Sequence, residues 1–260
     1  LRPCYGAPNT PIADVVAISD QDQKGLWNLR KKGVGLLASR PGKRKPIAFV
    51  EDTVVPPEKL SAYIKDFTQL LDREGVEYGL FGHVDVGCLH VRPALDLRQP
   101  EDEMKFLRIS DQVSELVKSY GGLIWGEHGK GIRSAYSPDY FGKLYPVLQE
   151  VKSLFDPFNQ LNPGKVATPN SQHELLPLAS PLRAHRDRLI TDHNLAGVEA
   201  SVTCNGNGQC FDYHPDHLMC PSAKVTRDRL HSPKGRAGVM RAWLTALSER
   251  DYQIDQAHFD

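Results

Sequence analysis

The sequence predicts an α+β fold: a ferredoxin-like antiparallel sheet with helices on one face, followed by a linker and a partial helical region. Three observations predict it. Segments with apolar residues at helical spacing alternate with short β-branched runs. Two of those runs are joined by a glycine-bounded turn, which makes a hairpin. Beyond residue 168 the periodicity lapses into polar residues with scattered prolines, Pro169, Pro177 and Pro181. The expected organisation is one domain over 1–168, a linker over 169–200 and a cysteine-bearing region over 201–260.

Each element has its own reason. Residues 12–18 are apolar and β-branched and read as a strand. Gln23 to Lys32 reads as a short helix carrying Trp27 and Arg30, and Pro46 to Val50 as a buried strand. Pro56-Pro57 opens a helix, because proline fits a first turn. Leu60, Tyr63, Ile64, Phe67, Leu70 and Leu71 share one face of that helix, and Gly75 closes it. Tyr78 to Phe81 and Cys88 to Leu97 are the hairpin strands. A helix starts near Glu101, with acids in its first turn, and buries Ile109, Val113, Leu116, Val117 and Tyr120 before Gly121-Gly122. Leu123 to Gly126 reads as a short strand. Helical turns follow Ser137-Pro138, restart at Pro146 and end at Asp156-Pro157. A last helix is expected to turn Val239, Met240, Trp243, Leu244 and Leu247 inward.

Composition narrows the function classes. Thirty-two basic and 32 acidic residues balance to zero net charge, so no basic stripe points to nucleic acid. No apolar run is long enough to span a bilayer. The five cysteines are odd in number, with Cys204, Cys210 and Cys220 clustered, a poor disulfide framework that fits a reducing cytosol. A chain opening on Leu1 is expected to be a piece of a longer protein.

Four constellations bear chemistry. The densest runs from Gly82-His83 to His90. In one extended strand the two histidines would lie about 23 Å apart; a turn at Gly87 would bring them side by side. Two imidazoles and a carboxylate form a divalent-metal set, and a hydrogen-bonded histidine pair at a hairpin is the alternative. Gly126-Glu127-His128-Gly129-Lys130-Gly131 sets an acid and a base among glycines. Glu127 can complete the metal set and His128 can act as a base; a solvated glycine-rich turn is the alternative. Arg30, close to Trp27, can take a carboxylate through two parallel hydrogen bonds or be a plain surface arginine. In Cys204-x5-Cys210-x9-Cys220-Pro221 the cysteine followed directly by proline resembles the end of a bacterial iron–sulfur run, which normally has four cysteines at short spacing where three stand here, with Asn207 where a second cysteine would fall.

Taken together, Trp27-x2-Arg30, Phe49-Val50-Glu51-Asp52, Gly82-His83 through His90, Gly126-Glu127-His128-Gly129, Phe155-Asp156-Pro157 and Leu161-Asn162-Pro163-Gly164-Lys165 resemble a known family. It is the C-terminal, substrate-capping domain of FAD-linked oxidases of the vanillyl-alcohol-oxidase type. The chain is most similar to bacterial proteins that fuse this flavoprotein to an iron–sulfur oxidoreductase, D-2-hydroxyglutarate and D-lactate dehydrogenases among them. The resemblance spans about residues 12–168 and extends weakly to Ser232-Pro233-Lys234-Gly235-Arg236-Ala237.

The resemblance implies a division of roles. His83, His90 and Glu127 match the family's metal ligands, for zinc or a similar divalent ion. His128 matches its proton acceptor and Arg30 its substrate-carboxylate arginine. Cys204, Cys210 and Cys220 would serve an iron–sulfur cluster in the full-length protein. FAD would be bound mainly by a separate glycine-rich domain, so the chain alone is expected to be inactive. The implied reaction oxidises a D-2-hydroxy acid to an oxo acid, with electrons leaving through iron–sulfur centres to an acceptor in or near the membrane. The implied location is the cytoplasm or the periphery of the inner membrane. Arg92 stands where some hydroxyglutarate enzymes have a substrate-holding Asn, and Val50 where they have a lysine, which leaves the substrate open. Another FAD-linked alcohol or sugar oxidase, or a non-catalytic metal-stabilised interaction domain, are the competing readings.

Overall fold

The structure, a computed structural model, describes residues 16–38, 42–129, 132–178, 186–204, 206, 208–216 and 219–249. The chain divides into two compact units, Leu1–Arg40 and Pro41–Asp260. The first is described by helix α1, Asp20–Ala38. Ser19 sets its start: its Oγ accepts the Asp22 N–H at 3.1 Å and donates to Asp22 Oδ2 at 2.7 Å. The helix is therefore longer at both ends than the expected 23–32. Of the strand expected over 12–18, residues 12–15 lie outside the described residues. Val16, Ala17 and Ile18 form no strand, and Val16 and Ile18 are exposed.

The second unit contains β1 (Lys45–Pro46), β2 (Thr53–Val54), α2 (Leu60–Arg73), β3 (Tyr78–His83), β4 (Cys88–Leu95), α3 (Pro100–Ser119), α4 (Ser137–Phe141), α5 (Tyr145–Phe155), α6 (Asp192–Leu195), α7 (Pro221–Thr226) and α8 (Pro233–Glu249). β4 is the spine of an antiparallel sheet. β3 pairs with it from Tyr78↔Pro93 to His83↔Cys88, while β1 and β2 pair with its two ends on the other side. Alternation along β4 divides the two faces of the sheet. Leu89, Val91 and Leu95 enter the core with Leu60, Tyr63, Phe67 and Leu71 of α2 and Phe106, Ile109, Val113 and Val117 of α3. Cys88 and His90, buried as well, leave from the opposite face. The result is the expected α+β layering, with the helix-packed core behind the sheet and polar side chains in front.

Two expected strands shrink. The one over Pro46–Val50 pairs through Lys45 and Pro46, with the Ile47 N–H donating to the Pro93 carbonyl at 2.9 Å, while Phe49 and Val50 turn fully into the core. The one over 123–126 is a single bridge, Val54↔Leu123. There the chain bends because Gly126 N–H reaches both the carbonyl and the carboxylate of Asp52, each at 2.9 Å. Among the described residues, no helix is long and apolar enough to cross a membrane.

The stretch expected as a linker carries specific contacts over its described end. Asp187 is buried in an ion pair with Arg241 of α8, and Arg188 reaches Glu103 of α3 at 2.5 Å. On α8 the expected face is buried in part. Arg241, Leu244 and Thr245 are buried, and Ser248 Oγ accepts from Asn194 Nδ2 at 3.0 Å, whereas Val239 and Trp243 are about half exposed, 56 % and 48 %.

The start of α3 yields a pH prediction. Burial raises the Asp102 carboxyl pKa, but hydrogen bonds from Arg44 (2.9 and 2.8 Å) and the Asp96 N–H (2.8 Å) outweigh it and hold the group below its ordinary value. A depressed carboxyl stabilises the fold above its unfolded pKa, and that stability is lost as pH falls through the lower folded value. Arg44 is half exposed, so the effect is about 1 kcal/mol. Asp102→Asn is expected to lower Tm at pH 7 and to flatten its fall below about pH 4. Thermal melts across that range check it; parallel wild-type and variant curves would contradict it.

Candidate active site

The site begins with the hairpin. Val84–Val86 forms one 3₁₀ turn, and Gly87 closes it at φ +69°, where a Cβ would sit 2.0 Å from the Val55 carbonyl oxygen. Only glycine fits. The turn sets His83 opposite Cys88 and Phe81 opposite His90, so His83 and His90 share one face. Their rings meet edge to face, centroids 5.4 Å apart.

Glu127 and His128 come from the bend after the Leu123 bridge, and Asp52 shapes that bend. Asp52 is fully buried, at φ +74°. Its carboxylate accepts the backbone N–H groups of Gly126 (2.9 Å), Glu127 (2.8 Å) and His128 (3.0 Å). Burial raises its pKa, but these donors and the nearby His128 outweigh burial and hold it below the ordinary carboxylate value. Gly126 permits the approach: a Cβ there would meet Val54 at 2.7 Å and Asp52 Oδ1 at 2.9 Å.

One oxygen of Glu127 then lies within reach of three imidazoles. Its Oε1 is 3.2 Å from His83 Nε2, 2.8 Å from His90 Nε2 and 3.5 Å from His128 Nε2. His128 stacks on His90 at 5.0 Å and turns Nδ1 to Glu51 Oε1 at 3.5 Å. Glu51 is buried and clamped by Arg92, whose Nη2 is 3.1 Å from Oε1 and whose Nε also donates to the carboxylate; Arg92 lies over the Phe81 ring. Beneath them the buried Arg133 donates to the Glu51 carbonyl at 2.6 Å. Burial lowers its pKa to about 10, which still leaves it cationic at neutral pH.

The donor set fits a divalent ion of the zinc type: two imidazole nitrogens and one carboxylate. His90 supports the fit independently. It is 2 % exposed, its Nε2 faces Glu127, and its Nδ1 has no hydrogen-bond partner among the described residues. A protein-only network leaves this nitrogen unsatisfied. An ion on Nε2 places the proton on Nδ1, facing Glu51 Oε1 at 3.8 Å, as ligating histidines commonly face a carboxylate. Burial also lowers the His90 pKa, outweighing the nearby Glu51 and Glu127, which favours the neutral ligand form. The groups of candidate ligand atoms that lie within 4.8 Å of one another among the described residues are Asp52–Cys88–His90–Glu127 and Glu51–His90–His128; His83 is in neither and reaches the site through Glu127 Oε1, 3.2 Å from its Nε2. Asp52 is occupied by backbone N–H groups and Glu51 by Arg92, so neither is as available as Glu127.

His83, His90, Glu127 and His128 thus come together around Glu127 Oε1. Arg30 lies on α1, in the other unit, and its side chain is outside the described residues. Cys204, Cys210 and Cys220 lie in the C-terminal region, where Cys220 Sγ is 3.3 Å from the His231 carbonyl oxygen. Sequence reasoning gave no role to Glu51, Asp52, Arg92, Arg133 or Cys88 in this arrangement. The available signal was the Glu51-Asp52 pair directly after the apolar Phe49-Val50, a place where acids are costly unless paired.

Known proteins place the chain. It is 53 % identical over 231 residues to D-2-hydroxyglutarate dehydrogenase of Pseudomonas putida, covering 88 % of this chain and 23 % of that protein. It is 49 % identical over 227 residues to the Escherichia coli enzyme of the same name, covering 86 % and 22 %. D-lactate dehydrogenase of Archaeoglobus fulgidus is 34 % identical over 151 residues, 58 % of this chain and 32 % of that protein. The chain therefore spans less than a quarter of the length of these two hydroxyglutarate enzymes. The family model of FAD linked oxidases, C-terminal domain, matches residues 7–166, more than half of the chain, and the protein belongs to that family.

Proposed function

We propose that this chain is the substrate-holding part of an FAD-linked dehydrogenase that oxidises a D-2-hydroxy acid, D-2-hydroxyglutarate first, to the 2-oxo acid. The observation that carries the reading is the approach of His83 and His90 to one oxygen of Glu127, with His128 beside them, in a chain about half identical to D-2-hydroxyglutarate dehydrogenases. His83, His90 and Glu127 hold a divalent ion. When bound, that ion supplies Lewis acidity and FAD supplies a two-electron acceptor. His128, 43 % exposed at the edge of the cluster, takes the substrate hydroxyl proton, while Glu51 orients the ring from Nδ1. Arg30 holds the substrate carboxylate.

Cys204, Cys210 and Cys220 are assigned to an iron–sulfur cluster of the whole protein. Alone they are one thiolate short of a complete four-iron cluster. We place the whole protein in the cytoplasm, passing electrons to an acceptor at the inner membrane; the four described cysteines, none in a disulfide, are compatible with a reducing compartment. The test is turnover by the whole protein with an artificial electron acceptor. D-2-hydroxyglutarate is expected to give the highest kcat/KM among D-2-hydroxyglutarate, D-malate and D-lactate. Turnover of none of these, with turnover of a sugar or aryl alcohol, would overturn the reading.

A further inference from the structure

Cys88 has no part in the reading above, yet it lies among the residues that carry it. His83 pairs across the hairpin with Cys88, and Cys88 and His90 are two residues apart on β4. All three side chains therefore leave the same face of the sheet. The thiol is 3 % exposed. A ligand atom from each of Cys88, His90, Glu127 and Asp52 lies within 4.8 Å of the others. Donors 2.0–2.3 Å from a tetrahedral ion lie about 3.3–3.8 Å apart, so a small inward adjustment brings sulfur, nitrogen and oxygen onto one centre. Asp52 is the poorest ligand of the four, because its oxygens already accept three backbone N–H groups. The Cys88 sulfur is 3.7 Å from Asp52 Oδ1. The unsatisfied Nδ1 of buried His90 independently points to an ion on its other nitrogen.

We propose that Cys88 Sγ is a fourth protein donor to the ion held by His83, His90 and Glu127, which makes the site selective for thiophilic divalent ions. The inference rests on the ion-binding part of the proposed function. Zinc, cobalt or cadmium draws in the sulfur, the thiol proton leaving to solvent as the sulfur–metal bond forms. Four protein donors close a tetrahedral site. Magnesium or manganese, which prefer oxygen, leave Cys88 a thiol and keep a position open to substrate. An excess of a thiophilic ion thus shuts the same site that a harder ion leaves open.

Cobalt reports both points on this chain. With Cys4, Cys204, Cys210 and Cys220 replaced by serine, Cys88 is the one cysteine left of five. Titration with Co²⁺ alone is expected to give visible ligand-field bands and, at one ion per chain, a near-ultraviolet thiolate-to-cobalt charge-transfer band. In this background that band has no other source. Cys88→Ser is expected to keep the ligand-field bands, lose the charge-transfer band and weaken cobalt about 10-fold or more, with manganese affinity within about twofold. Cys88→Ala makes the same comparison if the serine variant does not fold. Ligand-field bands without charge transfer in the single-cysteine protein would overturn the role of Cys88 and leave the ion site standing. No cobalt binding, or binding that His90→Ala leaves unchanged, would overturn both.

Discussion

Replacing His128 by glutamine is expected to lower kcat of the whole protein by about 10²–10⁴-fold, the range for loss of a positioned general base. The site is built to make this a loss of chemistry rather than of structure. His128 is held through its backbone N–H by Asp52, which glutamine preserves, and its ring lies at the exposed side of the cluster. The ion is assigned to His83, His90 and Glu127, so ion affinity and Tm should stay near wild type. Substrate affinity, assigned to Arg30 and the ion, should change little. Steady-state kinetics with an artificial acceptor, read beside ion binding and a thermal melt, separate these effects. A kcat within about threefold of wild type would remove His128 from the proton-accepting role.

Asp52→Asn is expected to give the largest stability loss of any single substitution in the site. Three backbone donors converge on this buried carboxylate from residues more than seventy positions away. Hydrogen bonds to a charged group contribute about 1.5–3 kcal/mol each, and an amide turns a donor of its own toward those N–H groups. A loss of about 3 kcal/mol is expected, a fall in Tm of roughly 6–12 °C for a chain of this size. Because Asp52 sets the position of Glu127, ion affinity should fall about 10–100-fold even though no ligand is altered. Denaturant unfolding and ion titration of the same sample check both. An unchanged Tm with unchanged ion affinity would mean that the bend after Leu123 holds its shape without Asp52.

What could be read from the sequence follows from how local each cause is. The helices with apolar residues at helical spacing, α2 and α3, came through because burial of one face is written in consecutive residues. The pairing of His83 with His90 was legible because seven intervening bonds can return the chain only through a turn, and Gly87 supplies one. Glu127 and His128 stood out by their glycines. Asp52 did not declare its role, since its three partners lie at 126–128 and no local pattern links them. The Glu51–Arg92 clamp and the buried Arg133 were hidden for the same reason. Where a local signal competed with a tertiary one, the tertiary one won: Phe49 and Val50 turn into the core instead of extending β1, and Arg241, paired with Asp187, is buried on α8 while Val239 and Trp243 stay about half exposed. Arg30 was placed correctly on a helix, but that helix belongs to a separate unit.

Zinc binding by the chain whose Cys4, Cys204, Cys210 and Cys220 are serine tests most directly whether His83, His90 and Glu127 form one ion site. Equilibrium dialysis is expected to find one zinc per chain. His83→Ala, His90→Ala and Glu127→Ala should each weaken binding by about 100-fold or more, whereas His128→Ala should stay within about threefold. A parent that binds no zinc, or ligand variants that bind it as tightly as the parent, would contradict the site.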